Sequence, residues 1–115
     1  MNRTWSVGRE KWQRINEALQ TIRISNRNGS HLNCLRLHNN NSEIHNDKII
    51  AIAKEFLRNN IPFMTEAEFI RGGRADLINL YTHEIYEVAV SESDESIEAK
   101  AKRYPDIFKI VKVRE

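Results

Sequence analysis

Apolar residues recur at helical spacing near the start of the chain. Trp12, Ile15, Leu19 and Ile22 follow one another at alternating steps of three and four residues. This spacing places side chains on one face of an α-helix. The pattern predicts an amphipathic helix of about four turns that begins near Ser6.

A second helical segment follows the asparagine-rich stretch HNNNS. Ser42 is a favourable N-cap residue, because its hydroxyl can accept a hydrogen bond from the first turn. The apolar stripe of this helix is Ile49, Ala53, Phe56 and Leu57. The helix is expected to end at the sequence NNIP, since the residue before a proline disfavours helical backbone.

Short segments of alternating, β-branched or aromatic residues predict four strands. They are residues 63–69, 75–81, 85–91 and 107–113. RGGR joins the first two strands, and the three-residue turn THE joins the second to the third. Ser93 begins a helix with the apolar stripe Ile97, Ala101 and Tyr104 before the last strand. From residue 42 the order is therefore α-β-β-β-α-β, which predicts an α/β or α+β sandwich on a mixed sheet.

The length of 115 residues is that of one domain. Residues 35–38 alternate apolar and polar, which predicts a short strand, and HNNNS is the clearest internal boundary. Residues 1–41 are thus predicted to form a basic N-terminal helix and short strand that belong to the same domain as a core of residues 42–115. No apolar run approaches the roughly 20 residues of a membrane span or forms a leader. The single cysteine, Cys34, excludes an internal disulfide bond. We therefore expect a soluble cytoplasmic protein with no membrane partner, located in the host cytoplasm if it is viral.

The charge is distributed unevenly along the chain. Residues 1–42 contain seven Lys and Arg against two Glu, whereas residues 43–115 contain eleven against fourteen acidic residues. This asymmetry favours a polyanion held beside a carboxylate cluster, but a solvated face explains the charges equally well.

The basic residues near the N-terminus are interleaved with aromatic ones. Arg9, Lys11 and Arg14 lie beside Trp5 and Trp12. Such a mixture is typical of surfaces that stack bases and bind phosphates. For the basic face as a whole we expect nucleic-acid binding, although Trp12 itself can pack in the core.

Two carboxylates interrupt otherwise apolar strands. Asp76 and Glu87 each cost free energy there unless a partner compensates the charge. A tight THE turn does not place them directly opposite, but a splayed or bulged pair of strands would bring them together. A divalent cation would then offset their repulsion. The alternative is that Asp76 pairs with Arg74 and that Glu87 points to solvent.

The same residues carry a resemblance to a known superfamily. The element order and the run TEAEF, RADL, YEVAVSES and YP resemble the PD-(D/E)XK nucleases, which have the restriction-endonuclease-like fold. Within them the run looks like small archaeal and viral or plasmid nuclease-like proteins, over residues 42–113. The resemblance implies a Mg²⁺- or Mn²⁺-dependent endonuclease that hydrolyses nucleic-acid phosphodiesters, with DNA as the expected substrate. Asp76 and Glu87 would hold the metal ion, and such small nucleases often form homodimers.

The resemblance implies two further site residues. An acidic residue of the first core helix often completes the metal site, and the candidates are Glu43 and, behind it, Glu55. The superfamily has a lysine two residues after the Glu, but this chain has Ala89 there, so Lys100 of the following helix is expected to substitute. If it does not, the alternative is a catalytically inactive nucleic-acid-binding module. A third interpretation is a protein-interaction domain of a mobile element, in which the carboxylates form surface pairs.

Three weaker signals lie near these residues. His45 is close to Glu43 in the sequence SEIH, although an exposed polar residue explains it more simply. Glu66 and Glu68 share a strand face and could extend the acidic cluster, or line a solvated sheet edge. The two glycines of RGGR predict a turn with positive φ, and only weakly a phosphate-binding loop.

Overall fold

The computed structural model describes residues 2–23, 33–37, 41–89 and 93–114, with side chains from residue 8 onward. Within these residues it contains three helices and four strands. In chain order they are α1 (Asn2–Leu19), α2 (Glu43–Arg58), β1 (Phe63–Glu68), β2 (Arg74–Asn79), β3 (Glu84–Val88), α3 (Asp94–Ala101) and β4 (Lys109–Val113).

The strands form one mixed sheet in the order β1-β2-β3-β4. The first two pairs are antiparallel, and β3 pairs with β4 in parallel. A parallel pair needs a crossover connection, which here contains α3. The predicted mixed α/β class and the order α-β-β-β-α-β from residue 42 are confirmed.

Helices α1 and α2 pack on opposite faces of the sheet. Ile15 of α1 lies in an apolar cluster with Ile78, whereas Ile49 of α2 lies in a second cluster with Leu77. Successive residues of a strand point to opposite faces, so the neighbours Leu77 and Ile78 separate the two layers. Among the described residues, no helix has the length and apolarity needed to cross a membrane.

The N-terminal region differs from its prediction in three respects. Helix α1 begins before Ser6, and Trp12 is 56 % exposed, so it does not pack in the core. The side chain of Trp5 lies outside the described residues. The predicted strand at 35–38 is wrong for its described part, because Arg36 donates its N–H to the Thr65 hydroxyl (2.7 Å) and residues 34–37 form no ladder.

The turn between β2 and β3 lies earlier than THE. Residues 80–83 form it, and β3 already begins at Glu84. The side chain of Asn79 shapes the turn, since its Oδ1 accepts hydrogen bonds from the N–H groups of Tyr81 (3.1 Å) and Thr82 (3.0 Å). The turn at residues 80–83 therefore sets the register between β2 and β3 at the candidate site.

A pair of glycine substitutions tests the packing of the β1–β2 turn. Gly73 has φ of +91°, and a Cβ there would lie 3.3 Å from the Tyr104 ring. We expect Gly73→Ala to lower the free energy of unfolding by about 1–3 kcal/mol. Gly8→Ala is the matched control, because a Cβ at this position of α1 meets open space. This substitution should raise the free energy of unfolding by up to about 1 kcal/mol. Urea denaturation followed by circular dichroism measures both, and equal stability of Gly73→Ala and wild type would contradict the packing described.

Candidate functional site

The ladder between β2 and β3 opens at one end. Backbone pairing is described as far as Leu77↔Tyr86, and the continued register places Asp76 opposite Glu87. There the Asp76 N–H donates to Glu87 Oε2 (3.2 Å), and the Val88 N–H donates to Asp76 Oδ2 (2.8 Å). Side-chain carboxylates thus accept the hydrogen bonds that main-chain carbonyls would accept in a regular ladder. A splayed pair of strands that brings Asp76 and Glu87 together is present, although by a register different from the one predicted from THE.

Glu87 is buried in this gap, with 4 % of its surface exposed. Its Oε1 accepts a hydrogen bond from the Tyr104 hydroxyl, which also lies 3.0 Å from the Arg74 carbonyl oxygen. Burial, followed by the nearby Asp76 carboxylate, raises the pKa of Glu87 from 4.5 to about 8, and the Tyr104 hydrogen bond only partly opposes this shift. The alternative in which Glu87 points to solvent is therefore wrong.

A third carboxylate approaches Asp76 from β1. Strands β1 and β2 pair on both sides of Glu66 and Asp76, so these residues lie opposite one another. Glu66 has φ of 49°, which interrupts the alternation of side chains along β1. As a result Met64 and Ala67, three residues apart, lie in the same apolar cluster. The interruption turns Glu66 toward Asp76 and α2.

The first turn of α2 supplies a histidine to the same point. Ser42 caps the helix, and its hydroxyl accepts a hydrogen bond from the His45 N–H (3.1 Å). The His45 Nε2 lies 3.6 Å from Asp76 Oδ1. This nitrogen is buried and has no hydrogen-bond partner among the described residues. One ligand atom each of His45, Glu66 and Asp76 lie within 4.8 Å of one another.

Arg74 contacts Glu66 rather than Asp76. The Arg74 Nε lies 3.2 Å from Glu66 Oε2, and the Asn41 Nδ2 donates to Glu66 Oε1 (3.2 Å). The alternative that pairs Asp76 with Arg74 is therefore not what the structure shows. The sequence suggested that Glu66 could extend the acidic cluster, and Glu66 does lie beside Asp76.

The other predicted site residues lie at different distances from this cluster. Glu43 is exposed and precedes His45 by two residues, whereas Glu55 follows His45 by ten, about 15 Å along the helix. Glu55 pairs with Arg58 instead (3.1 Å). Lys100 is exposed. The catalytic roles of Glu43 and Lys100 stay predictions.

The predicted nucleic-acid-binding residues lie along α1. Arg9 is exposed. The Lys11 Nζ lies 6.0 Å from the centre of the Tyr81 ring, and the Arg14 Nε donates to the Tyr81 carbonyl oxygen. Tyr81 follows Asp76 by five residues, roughly 15 Å along extended chain. Lys11 and Arg14 therefore lie toward the hairpin end of the sheet, away from the carboxylates.

A cationic recess lies closer to the carboxylates, at the turn RGGR. Both glycines of the turn have the predicted positive φ, +107° and +91°. They border a cavity of about 370 Å³. It is lined by Arg23, Glu68, Phe69, Gly72, Gly73 and Arg74. The Arg74 guanidinium thus stands between this recess and Glu66.

Two of these contributions were not visible in the sequence. Tyr104 was predicted only as part of an apolar helix stripe, yet it holds the Glu87 carboxyl. Arg74 was considered only as a partner of Asp76. No local signal distinguishes a buried tyrosine that packs from one that also donates to a carboxylate.

Comparisons with protein-family models, with curated proteins and with solved structures gave no match. The likeness to PD-(D/E)XK nucleases is thus an interpretation of short motifs.

The raised pKa of Glu87 predicts how stability depends on pH. The folded state binds this proton more tightly than the unfolded state, so the stabilisation is fully present below pH 4.5 and is lost as the pH rises to about 8. With a chelator present, the free energy of unfolding should fall across this window. Glu87→Gln should flatten the fall, and Glu55→Gln, a change at an exposed glutamate, should not. Denaturant titrations at several pH values measure this, and equal slopes for wild type and Glu87→Gln would contradict it.

Proposed function

We propose that this chain is a metal-dependent nuclease of restriction-endonuclease-like type that hydrolyses phosphodiester bonds of nucleic acid. The observation that carries the proposal is the opened ladder, in which Asp76 and Glu87 face each other from adjacent strands. Three antiparallel strands, a crossover helix and a parallel fourth strand also agree with the topology that the resemblance implies.

The contacts of Asp76 and Glu87 suit these two carboxylates to a metal-dependent nuclease site. The Val88 N–H fixes Asp76 Oδ2 and leaves Oδ1 directed toward His45. The Tyr104 hydroxyl and the Asp76 N–H fix the two oxygens of Glu87. A divalent ion at Asp76 would polarise a phosphoryl oxygen and lower the pKa of an attacking water. Because the main chain holds both carboxylates, their positions are set before any ligand arrives.

The recess at RGGR is the proposed entry for the substrate backbone. Arg23 and Arg74 line it, and phosphate contacts by arginine supply most of the sequence-independent affinity for DNA. Arg14 lies within α1, and Arg23 follows the end of that helix. The basic residues of α1 would then extend the same contact surface.

One observation favours a second candidate, a nucleic-acid-binding module without catalysis. Ala89 is buried and its N–H donates to the Val113 carbonyl oxygen (2.9 Å), so this position is a structural one. The lysine expected there in an active nuclease is absent, and Lys100 is exposed. DNA binding without turnover would follow if no other cation assists the reaction.

Cleavage assays distinguish these candidates. We expect the wild type to cut linear, branched or single-stranded DNA with Mg²⁺ or Mn²⁺. Asp76→Asn should lower the rate by about two orders of magnitude or more, the scale of losing one transition-state contact, while DNA affinity is retained. Asp106→Asn, a change at an exposed aspartate outside the cluster, should cut like the wild type. Binding by a wild type that cuts none of these substrates would support the inactive module, and equal cutting by Asp76→Asn would remove the proposed site.

A further inference from the structure

We propose that the ion is held by His45, Glu66 and Asp76, and that this site takes a divalent transition-metal ion in preference to Mg²⁺. The inference deepens the proposed function and rests on it for the placement of an ion at Asp76. It differs from the ligand pair Asp76 and Glu87 that the sequence predicted. Glu87 becomes a positioning residue, since its carboxylate binds the Asp76 N–H.

The distances fit a single ion. The His45 Nε2 and Asp76 Oδ1 are 3.6 Å apart. An ion about 2.1 Å from both atoms would see them at an angle of about 120°, close to the tetrahedral value. The Glu66 ligand atom completes a set within 4.8 Å. Two tetrahedral ligands at this length are about 3.4 Å apart, so Glu66 moves by up to about 1.4 Å to bind the same ion.

His45 is the residue that points most directly to a ligand. Its side chain is 15 % exposed, and its Nε2 is buried without a hydrogen-bond partner among the described residues. Buried polar atoms of native proteins normally have a partner. The nitrogen faces a carboxylate at a distance too long for a hydrogen bond but suitable for a shared ion. The Ser42 cap holds the first turn of α2, so this orientation is built into the helix start.

Glu66 can serve as a ligand although it already has two partners. Arg74 contacts its Oε2 and Asn41 its Oε1. A carboxylate has about four lone-pair sites, so each oxygen keeps one. Hydrogen bonds from such partners commonly orient a ligating carboxylate. Two carboxylates and one neutral imidazole would balance the charge of a divalent ion.

The donor set determines the class of metal. Mg²⁺ takes oxygen ligands in near-octahedral geometry and keeps several waters. An imidazole nitrogen instead suits the later first-row divalent ions, and affinity for mixed nitrogen and oxygen sites rises along that row. Three protein ligands leave at least one position open for water or a phosphate oxygen. This is the arrangement of a catalytic rather than a purely structural site.

Calorimetric titration of the chelator-treated protein tests the ligand set. We expect Co²⁺ to bind at least about tenfold more tightly than Mg²⁺, with Mn²⁺ between them. His45→Gln and Glu66→Gln should each weaken Mn²⁺ binding about tenfold or more, the scale for losing a ligand or its support. Glu55→Gln, at an exposed glutamate of α2, is the matched control and should bind like the wild type. Glu87→Gln should weaken Mn²⁺ binding less than either ligand variant, because the Gln side-chain oxygen can still accept from the Asp76 N–H, and circular dichroism checks that each variant folds.

Pulsed electron paramagnetic resonance of the Mn²⁺-loaded wild type gives a second measurement, which stays decisive if Glu66→Gln fails to fold. A coupling to ¹⁴N from an imidazole is expected, and it should vanish in His45→Gln. Absence of this coupling in the wild type would overturn the inference.

The outcomes separate this inference from the proposed nuclease. Binding lost in Glu87→Gln but kept in His45→Gln would place the ion between Asp76 and Glu87, which overturns the inference and leaves the nuclease proposal intact. Nitrogen-coupled Mn²⁺ in a protein that cuts no DNA would support the inference and contradict the enzyme. No binding of either Co²⁺ or Mn²⁺ would overturn both.

Discussion

Two hydrogen bonds hold β2 and β3 together where their regular pairing ends, and the candidate site depends on them. The Asp76 N–H donates to the Glu87 carboxyl, and the Val88 N–H donates to the Asp76 carboxylate. Main-chain groups are thereby satisfied inside the sheet, as buried polar groups must be. The same exchange brings two acidic side chains into a gap between strands. In a regular ladder at this position main-chain carbonyl groups would accept these hydrogen bonds, and the Asp76 carboxylate would not lie between the strands.

Most of the fold could be predicted because it follows from periodicity. The apolar stripe of α2, the four strands and the crossover helix all obey simple spacing rules. The predictions that were wrong concern segments whose conformation is set by contacts between side chains and the main chain. Asn79 side-chain hydrogen bonds set the β2–β3 turn, and Thr65 binds residues 34–36 without a ladder. Such contacts join residues whose roles no local pattern reveals.

The site could be predicted only in part. Asp76 and Glu87 stand out because a charge within an apolar strand needs compensation. The contribution of Glu66 depends on a positive φ at a non-glycine residue, which the sequence does not signal. His45 was noticed as a neighbour of Glu43, yet its partner in space is Asp76, thirty-one residues further along the chain. Long-range pairs of this kind depend on strand register, and the predicted register was wrong.

We propose that the opened ladder at Asp76 is a metal site. Crystals grown with Mn²⁺ and measured for anomalous scattering test this proposal most directly. We expect a peak within about 2.2 Å of an Asp76 carboxylate oxygen, with the Val88 N–H still bound to the other oxygen. Peaks confined to exposed acids such as Asp94, with Asp76 contacting only protein atoms, would contradict it.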